Sequence, residues 1–93
     1  MISWRSTGPV HEVYLEATAE RDLKGLRTKD FQRIIHKIRG LAENPRPPGC
    51  RKITGSESDW RIRIGDYRVT YEIDDNAEMV RVMRVRHRRE AYR

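Results

Sequence analysis

Basic and apolar side chains alternate in the second half of the chain, where residues 60–73 read WRIRIGDYRVTYEI. Successive side chains of a β-strand point to opposite faces of a sheet, so Ile62 and Ile64 would share one face and Arg61 and Arg63 the other. The guanidinium group of arginine matches phosphate oxygens and stays charged in proteins. The alternation therefore predicts a sheet that is apolar on one face and binds a polyanion on the other.

The last nine residues, VRHRREAYR (85–93), add groups that can move protons beside this surface. His87 can exchange a proton near neutral pH, and Tyr92 can exchange a proton or stack on a base. Such a set suits metal-free cleavage of RNA, in which the 2′-hydroxyl attacks the adjacent phosphorus and leaves a cyclic phosphate and a 5′-hydroxyl. The protein would accept the 2′ proton, protonate the leaving oxygen and stabilise the charge of the phosphorane.

The residues alone leave open whether this surface cleaves RNA or only binds it. Arginines on an exposed sheet face are often simply solvated, and a histidine beside arginines near a chain end often belongs to a frayed tail. Composition and spacing thus favour nucleic-acid binding and leave RNA cleavage as a further hypothesis.

Other kinds of site find little support in the sequence. Asp74 and Asp75 form an adjacent carboxylate pair, but they are expected in a turn with no His or Cys at ligand spacing, so no metal site is predicted. A glycine-rich phosphate loop is absent, and no cofactor is expected. The single cysteine, Cys50, cannot form an internal disulfide, which favours a reducing compartment.

Length and charge limit the number of domains and the kind of partner. Its 93 residues suffice for one domain, and 20 Lys and Arg against 14 Asp and Glu give a net charge of +6, which favours an acidic partner. No apolar run approaches the length that spans a membrane, and the N-terminus lacks the apolar core of a signal peptide. A cytoplasmic protein without a membrane partner is therefore expected.

The elements that must position the basic side chains follow from local patterns. Residues 1–9 are expected to form a flexible lead-in and residues 10–93 a single domain. A first strand at 10–16 precedes a short helix near 19–24, and Thr28 is the predicted N-cap of a second helix. This second helix carries an apolar stripe at helical spacing, formed by Phe31, Ile34, Ile35, Ile38, Leu41 and Ala42.

Three strands follow a proline-rich loop and complete the predicted sheet. Residues 60–64 and 67–73 form a hairpin through Gly65 and Asp66, and residues 79–85 form the last strand, with a β-bulge near Met83 that restores its alternation. The expected fold is an α+β domain with the order β-α-α-β-β-β, in which an antiparallel sheet carries both helices on one face.

These motifs resemble the RelE/ParE superfamily of bacterial and archaeal toxins, and most of all its RelE branch. WRIRIGDYRVTYEI and VRHRREAYR carry the likeness, together with AERDL (19–23) and KITG (52–55), so that it extends over residues 10–93. The resemblance implies a microbial-RNase-like fold and a toxin of a type II toxin–antitoxin pair that cleaves mRNA in the ribosomal A site. It also implies three partners, namely mRNA, the ribosome and a cognate antitoxin.

The resemblance also implies roles for individual residues. Arg61 and Arg63 occupy strand positions where the family has phosphate-binding or catalytic cations, and Arg68 matches its transition-state arginine. The predicted catalytic residues are Arg61, Arg68, His87, Arg88 and Tyr92. The predicted RNA- or phosphate-binding residues are Lys52, Arg63, Arg86 and Arg89.

The chain departs from its best-studied relatives in having arginine where they have lysine. Arginine hardly loses its proton, so the general base stays open between His87 and Tyr92. Two alternatives to an RNA-cleaving enzyme remain: a ParE-like toxin of the same fold that inhibits DNA gyrase, and an RNA-binding module without catalytic activity.

Overall fold

The computed structural model describes residues 2–4 and 11–91, with the side chains of residues 11–89. In chain order the elements are β1 (Ile2–Trp4), β2 (Glu12–Leu15), α1 (Ala17–Lys24), α2 (Thr28–Gly40), β3 (Arg51–Lys52), β4 (Asp59–Ile64), β5 (Tyr67–Asp74), β6 (Met79–His87) and α3 (Arg88–Ala91). The strands form one sheet in the order β1-β2-β6-β5-β4-β3. The predicted α+β class and the consecutive antiparallel strands β4, β5 and β6 are confirmed.

The sheet is mixed, which corrects the expectation of a wholly antiparallel one. Strand β2 runs parallel to β6, with Val13 beside Val80 and Leu15 beside Val82, and all four side chains are buried. The two strands are far apart in sequence and no tight turn links them, so burial in the shared core decides their relative direction.

Strand β1 lies within the stretch that was predicted to be a flexible lead-in. It pairs antiparallel with β2, from Ile2 beside Leu15 to Trp4 beside Val13. Three residues are too few to show an alternating pattern in the sequence, and the partner that orders them is supplied by the folded sheet.

The core lies between the sheet and helices α1 and α2. Helix α2 buries Ile34 and Ile38 against it, and Leu41 and Ala42 are buried just beyond the helix end. Phe31, which was expected in the same stripe, is 37% exposed. The remaining buried side chains are Val13, Leu15, Ala19, Leu23, Ile62, Ile64, Val69, Tyr71, Ile73, Val80, Val82 and Val85.

Helix α2 begins one residue earlier than the predicted cap allows. The N-cap is Arg27, whose side chain makes no capping hydrogen bond, and Thr28 is the first helical residue. Asp30 in the first turn supplies the negative charge that favours a helix N-terminus.

The predicted hairpin and β-bulge both occur and fix which side chains share a face. Ile64 pairs with Tyr67 across the two-residue turn, where Gly65 has a φ of +59°. In β6 the register shifts so that Thr70 faces Arg84 while Tyr71 faces Val82, which leaves Met83 as the extra residue. The bulge keeps Val82 and Val85 in the core, although Met83 itself is only partly buried.

Candidate nucleic-acid interface

Three arginines lie side by side near the hairpin, on the face of the sheet opposite the helices. Arg63 of β4 pairs with Arg68 of β5, and Arg68 pairs with Arg86 of β6. Paired residues of neighbouring strands project from the same face, and the strands are about 4.8 Å apart. We call this set, Arg63, Arg68 and Arg86, the hairpin row.

A second row of side chains crosses the sheet two residues further from the hairpin. It consists of Arg51, Arg61, Thr70 and Arg84, which are paired in that order across β3, β4, β5 and β6. We call it the middle row, and the two rows together the arginine face. Four strands and one bulge thus place six arginines on a single surface.

Two clefts open on the arginine face, and Arg68 lines both. The larger has a volume of about 310 Å³ and is lined by Gly49, Arg51, Arg61, Ile62, Arg63 and Arg68. The smaller has a volume of about 150 Å³ and is lined by Arg68, Thr70, Arg84 and Arg86. Arg68 therefore occupies the centre of the surface, within reach of a ligand in either cleft.

The arginine face lacks enough acids to neutralise it within the described residues. No ion pair in this part of the chain involves Arg51, Arg61 or Arg63. The Nε atom of Arg86 is buried and has no hydrogen-bond partner in the same part of the chain. Like charges directly across a sheet are destabilising and a buried unpaired donor costs free energy, so an anion bound here would relieve both.

Asp22 of α1 holds one arginine of the middle row in place. Its carboxylate accepts hydrogen bonds from Nε of Arg84 at 2.9 Å and from the backbone N–H of Val85 at 2.9 Å. Strand β2 ends at Leu15, so α1 takes its place along the edge of β6, where Thr18 Oγ1 also donates to the carbonyl of Met83 at 2.7 Å. Sequence reasoning missed Asp22 because its partners lie more than 60 residues away.

The structure brings together only part of the predicted RNA-contacting set. Arg61, Arg63, Arg68 and Arg86 lie together on the arginine face. Lys52 instead pairs with Trp60, whose side chain packs against the core, so Lys52 projects from the helix-bearing face. Its neighbour Arg51 takes the position on the arginine face, and a two-residue strand offers no alternation from which this could be predicted.

His87 projects from the face opposite to Arg68 and Arg86. It pairs with Tyr67, and the two rings meet edge to face with centroids 5.3 Å apart. Its Nδ1 atom accepts a hydrogen bond from the backbone N–H of Arg89 at 3.2 Å. A neutral His87 in this arrangement therefore carries its proton on Nε2 and acts as a donor there.

Arg88 and Arg89 begin helix α3 beside the hairpin turn. The backbone N–H of Arg88 donates to the carbonyl of Asp66 at 2.7 Å, and its guanidinium lies 4.0 Å from the Asp66 carboxylate. Arg88 and Arg89 are exposed. Tyr92, the remaining predicted catalytic residue, lies outside the described residues.

The adjacent carboxylates Asp74 and Asp75 serve the turn between β5 and β6. Asp74 Oδ1 accepts from the N–H of Ala77 at 3.0 Å, and Asp75 binds Arg46 at 2.9 Å and His11 at 3.1 Å. These hydrogen bonds, that from Arg46 above all, hold the pKa of Asp75 below its usual value. Across the described part of the chain, no group of three or more His, Cys, Asp or Glu side chains could hold a metal ion.

Comparison with known proteins assigns the chain to a class. A family model described as the ParE toxin of the type II toxin–antitoxin system parDE matches residues 13–92. Because the match extends over most of the chain, the protein belongs to the toxins of type II toxin–antitoxin systems, in the RelE/ParE superfamily. No helix in the described ranges is long and apolar enough to cross a membrane.

Individual relatives carry the name RelE. The chain is 36% identical over 86 residues to a toxin RelE of Mycobacterium tuberculosis, covering 91% of this chain and 88% of that protein. Its structure resembles that of the toxin–antitoxin complex RelBE2 of the same organism, with a TM-score of 0.74, 28% identity and coverage of 86% and 99%. An archaeal RelE–RelB complex from Pyrococcus horikoshii, with a TM-score of 0.73, 22% identity and coverage of 82% and 92%, shares the fold.

Proposed function

We propose that this protein is an endoribonuclease that cleaves mRNA in the ribosomal A site, and that a cognate antitoxin restrains it. The arginine face carries this proposal, because it gathers cations from several strands on one exposed surface. RNA brings to such a surface both the phosphates it binds and a 2′-hydroxyl that can serve as the nucleophile. The similarity of the chain to proteins named RelE also supports this proposal.

In the proposed reaction the hairpin row stabilises the transition state. The 2′-oxygen attacks the adjacent phosphorus, the bond to the 5′-oxygen breaks, and negative charge grows on the phosphorane oxygens. Arg68 would bind these oxygens from the centre of the row, with Arg63 and Arg86 on either side. Arg61 would assist from the adjacent middle row. Removing one such donor typically lowers the rate by about 10² to 10³.

Proton transfer needs groups other than these arginines, which hardly deprotonate. We assign it first to Tyr92. His87 is the second candidate, and its ring would have to leave Tyr67 to reach a phosphate held by Arg68. Arg88, the first residue after β6, would contact the flanking phosphate.

The proposed partners are mRNA, the ribosome and an antitoxin. Relatives from Mycobacterium tuberculosis and Pyrococcus horikoshii have been solved as complexes with RelB-type antitoxins, which supports such a partner here. An acidic or amphipathic segment of the antitoxin would suit the arginine face and would compete with RNA for it. Co-purification with the product of a small neighbouring gene would test this partner, and recovery of the toxin alone would contradict it.

The decisive experiment is a defined cell-free translation reaction with primer extension to map new mRNA 5′ ends. We expect cuts within translated codons that disappear when ribosomes are omitted and fall by about 10² or more with Arg68→Ala. Arg27→Ala is the matched control, because Arg27 is a highly exposed arginine on the helix side whose one ion pair among the described residues, with Asp30, is long. An absence of cuts with the wild-type protein would overturn the proposal.

Inhibition of DNA gyrase is the second candidate function, because the matching family model is that of ParE toxins. A supercoiling assay separates the two activities. Inhibition of gyrase without mRNA cleavage would favour the ParE-like function, whereas salt-sensitive RNA binding without either activity would indicate a binding module.

A further inference from the structure

The arginine face ends abruptly along the direction of the strands. Two residues beyond the middle row, Asp59 of β4 pairs with Glu72 of β5, and Glu72 pairs with Arg81 of β6. The one cation of this third row is already neutralised, because Arg81 lies 3.6 Å from Glu72 and 3.9 Å from Glu16. We call Asp59 and Glu72 the acidic boundary.

The arginine face is therefore short along the strands and long across them. Along β4 or β5 the arginine face has only two rows, about 7 Å apart, and the acidic boundary follows about 7 Å beyond the middle row. Across the sheet the cations extend from β3 to β6, about 14 Å at the usual strand spacing. A polyanion that followed the strands would meet the carboxylates of Asp59 and Glu72 almost at once.

We propose that a single strand of RNA crosses the sheet at right angles to β4, β5 and β6 along the hairpin row, and that Asp59 and Glu72 confine it to this track. The inference rests on the proposed function for the identity of the ligand, and adds the direction of the strand, the size of its footprint and two residues that limit it. The backbone passes Arg63, Arg68 and Arg86 in turn, and its footprint is about three to four nucleotides.

The footprint can be measured with oligonucleotides that the protein cannot cleave. Single-stranded 2′-O-methyl RNA of about two to ten nucleotides lacks a free 2′-hydroxyl, so its affinity can be measured by fluorescence anisotropy without turnover. We expect affinity to rise to about four nucleotides and then to level off, with a salt slope of about −2 to −3, since each phosphate contributes about −0.7. A slope that keeps growing with length, or no binding at any length, would overturn the inference.

The direction of the strand can be tested at the two ends of the hairpin row. Arg63→Gln and Arg86→Gln should each reduce the salt slope by about 0.7, because a strand crossing the sheet places a phosphate beside each residue. A strand that ran along β4 would use Arg61 and Arg63 and would ignore Arg86. An unchanged slope with Arg86→Gln would therefore exclude the crossing direction.

The acidic boundary can be tested by removing one charge. Glu72→Gln removes one carboxylate of the boundary and the shorter of the two ion pairs of Arg81, and should move the plateau to longer oligonucleotides with a steeper salt slope. Asp30→Asn is the matched control, because it also removes one acid and frees two arginines, Arg27 and Arg33, but on the helix side. Equal behaviour of the two variants would show that Glu72 sets no boundary.

These outcomes are separable from those of the proposed function. One outcome is that the affinity levels off with oligonucleotide length and both arginine variants reduce the salt slope while no mRNA is cut during translation. That result would support the RNA track and contradict the enzymatic proposal. Cleavage of mRNA together with an oligonucleotide affinity that does not level off with length would support the enzymatic proposal and contradict the RNA track.

Discussion

At the residue scale, the arginine face carries a cost in stability that the proposed ligand would offset. Arg63, Arg68 and Arg86 face one another directly across neighbouring strands, where like charges repel. The buried Nε of Arg86 adds a donor that lacks an acceptor within the described residues. Residues arranged for stability alone would avoid both features, which supports the proposal that an anion binds here.

Replacing Arg86 by an apolar side chain of similar length should separate stability from function. We expect Arg86→Met to raise the free energy of unfolding by about 0.5 to 1 kcal/mol, because it removes the unpaired donor and one of three adjacent charges. The same change should weaken RNA binding. Urea unfolding of the variant without ligand provides the measurement, and a clear loss of stability would contradict the prediction.

The pKa of Asp75 makes part of the stability depend on pH. Arg46 and then His11 lower this pKa from its ordinary value of 3.8 by hydrogen bonding to the carboxylate. A carboxyl group with a lowered pKa in the folded state stabilises the fold above its unfolded-state pKa, and this contribution is lost as the pH falls through the folded-state value. Urea unfolding between pH 2 and 7 should show a weaker acid dependence below about pH 4 for Asp75→Asn than for the wild type. Identical pH profiles would contradict this.

At the scale of elements, the hairpin and helix α1 are the parts that hold the arginine face in shape. The hairpin sets the register of Arg63 against Arg68, while α1 supports the far edge of β6 where β2 has ended. The fold therefore fixes the arginine face through one local turn and one long-range contact.

Position 65 requires a glycine, because of both its backbone conformation and the side chain that lies beside it. Its φ of +59° is unfavourable for residues with a side chain, and a Cβ atom there would overlap the Arg33 guanidinium of α2. We expect Gly65→Ala to lower the free energy of unfolding by about 1 to 2 kcal/mol. Gly40→Ala is the control, because nothing lies within 4 Å of the new Cβ and a helical alanine should stabilise by about 0.5 to 1 kcal/mol. Equal effects of the two changes would refute the argument.

Asp22 is the contact through which α1 supports β6, and its side chain is 17% exposed. Asp22→Ala removes the acceptor of both Arg84 and the Val85 N–H, and should lower the free energy of unfolding by about 1 to 3 kcal/mol. Asp22→Asn keeps an oxygen acceptor and should cost less. Urea denaturation of both variants tests this order, and an alanine variant as stable as the wild type would rule out the supporting role.

At the scale of the whole molecule, the sheet separates two functions between its faces. The helix-bearing face buries the apolar side chains that stabilise the domain, and the other face carries the six arginines of the two rows. A net charge of +6 favours polyanions generally, and in the proposed RNA track the acidic boundary would restrict where one can bind.

Binding of RNA to the folded state should therefore stabilise the whole domain. At a ligand concentration about 100 times the Kd, the gain is about 2.7 kcal/mol, which corresponds to a rise in Tm on the order of 10 °C for a domain of this size. The 2′-O-methyl oligonucleotides serve as ligand, and an uncharged peptide nucleic acid of the same sequence serves as control. The rise should shrink with added salt, and a salt-independent or equal rise with both ligands would contradict a phosphate-based interface.

The sequence by itself determined the kinds of elements and the alternation within each strand. Periodicity identified α2, the hairpin and the bulge near Met83, because neighbouring residues alone decide which side chains share a helix face or a strand face. The shared face of Arg61 and Arg63 followed from the same local rule.

Only the tertiary structure decided the pairings between distant segments. Strand β2 aligns parallel to β6, and Asp22 contacts Arg84. Arg51 rather than Lys52 lies on the arginine face. All three features depend on the packing of segments that are far apart in sequence. The placement of His87 against Tyr67 belongs with them, because β6 continues beyond the predicted strand end at residue 85 and pairs with the first residue of β5. Such pairings are set by the burial of a shared core, which no local pattern encodes.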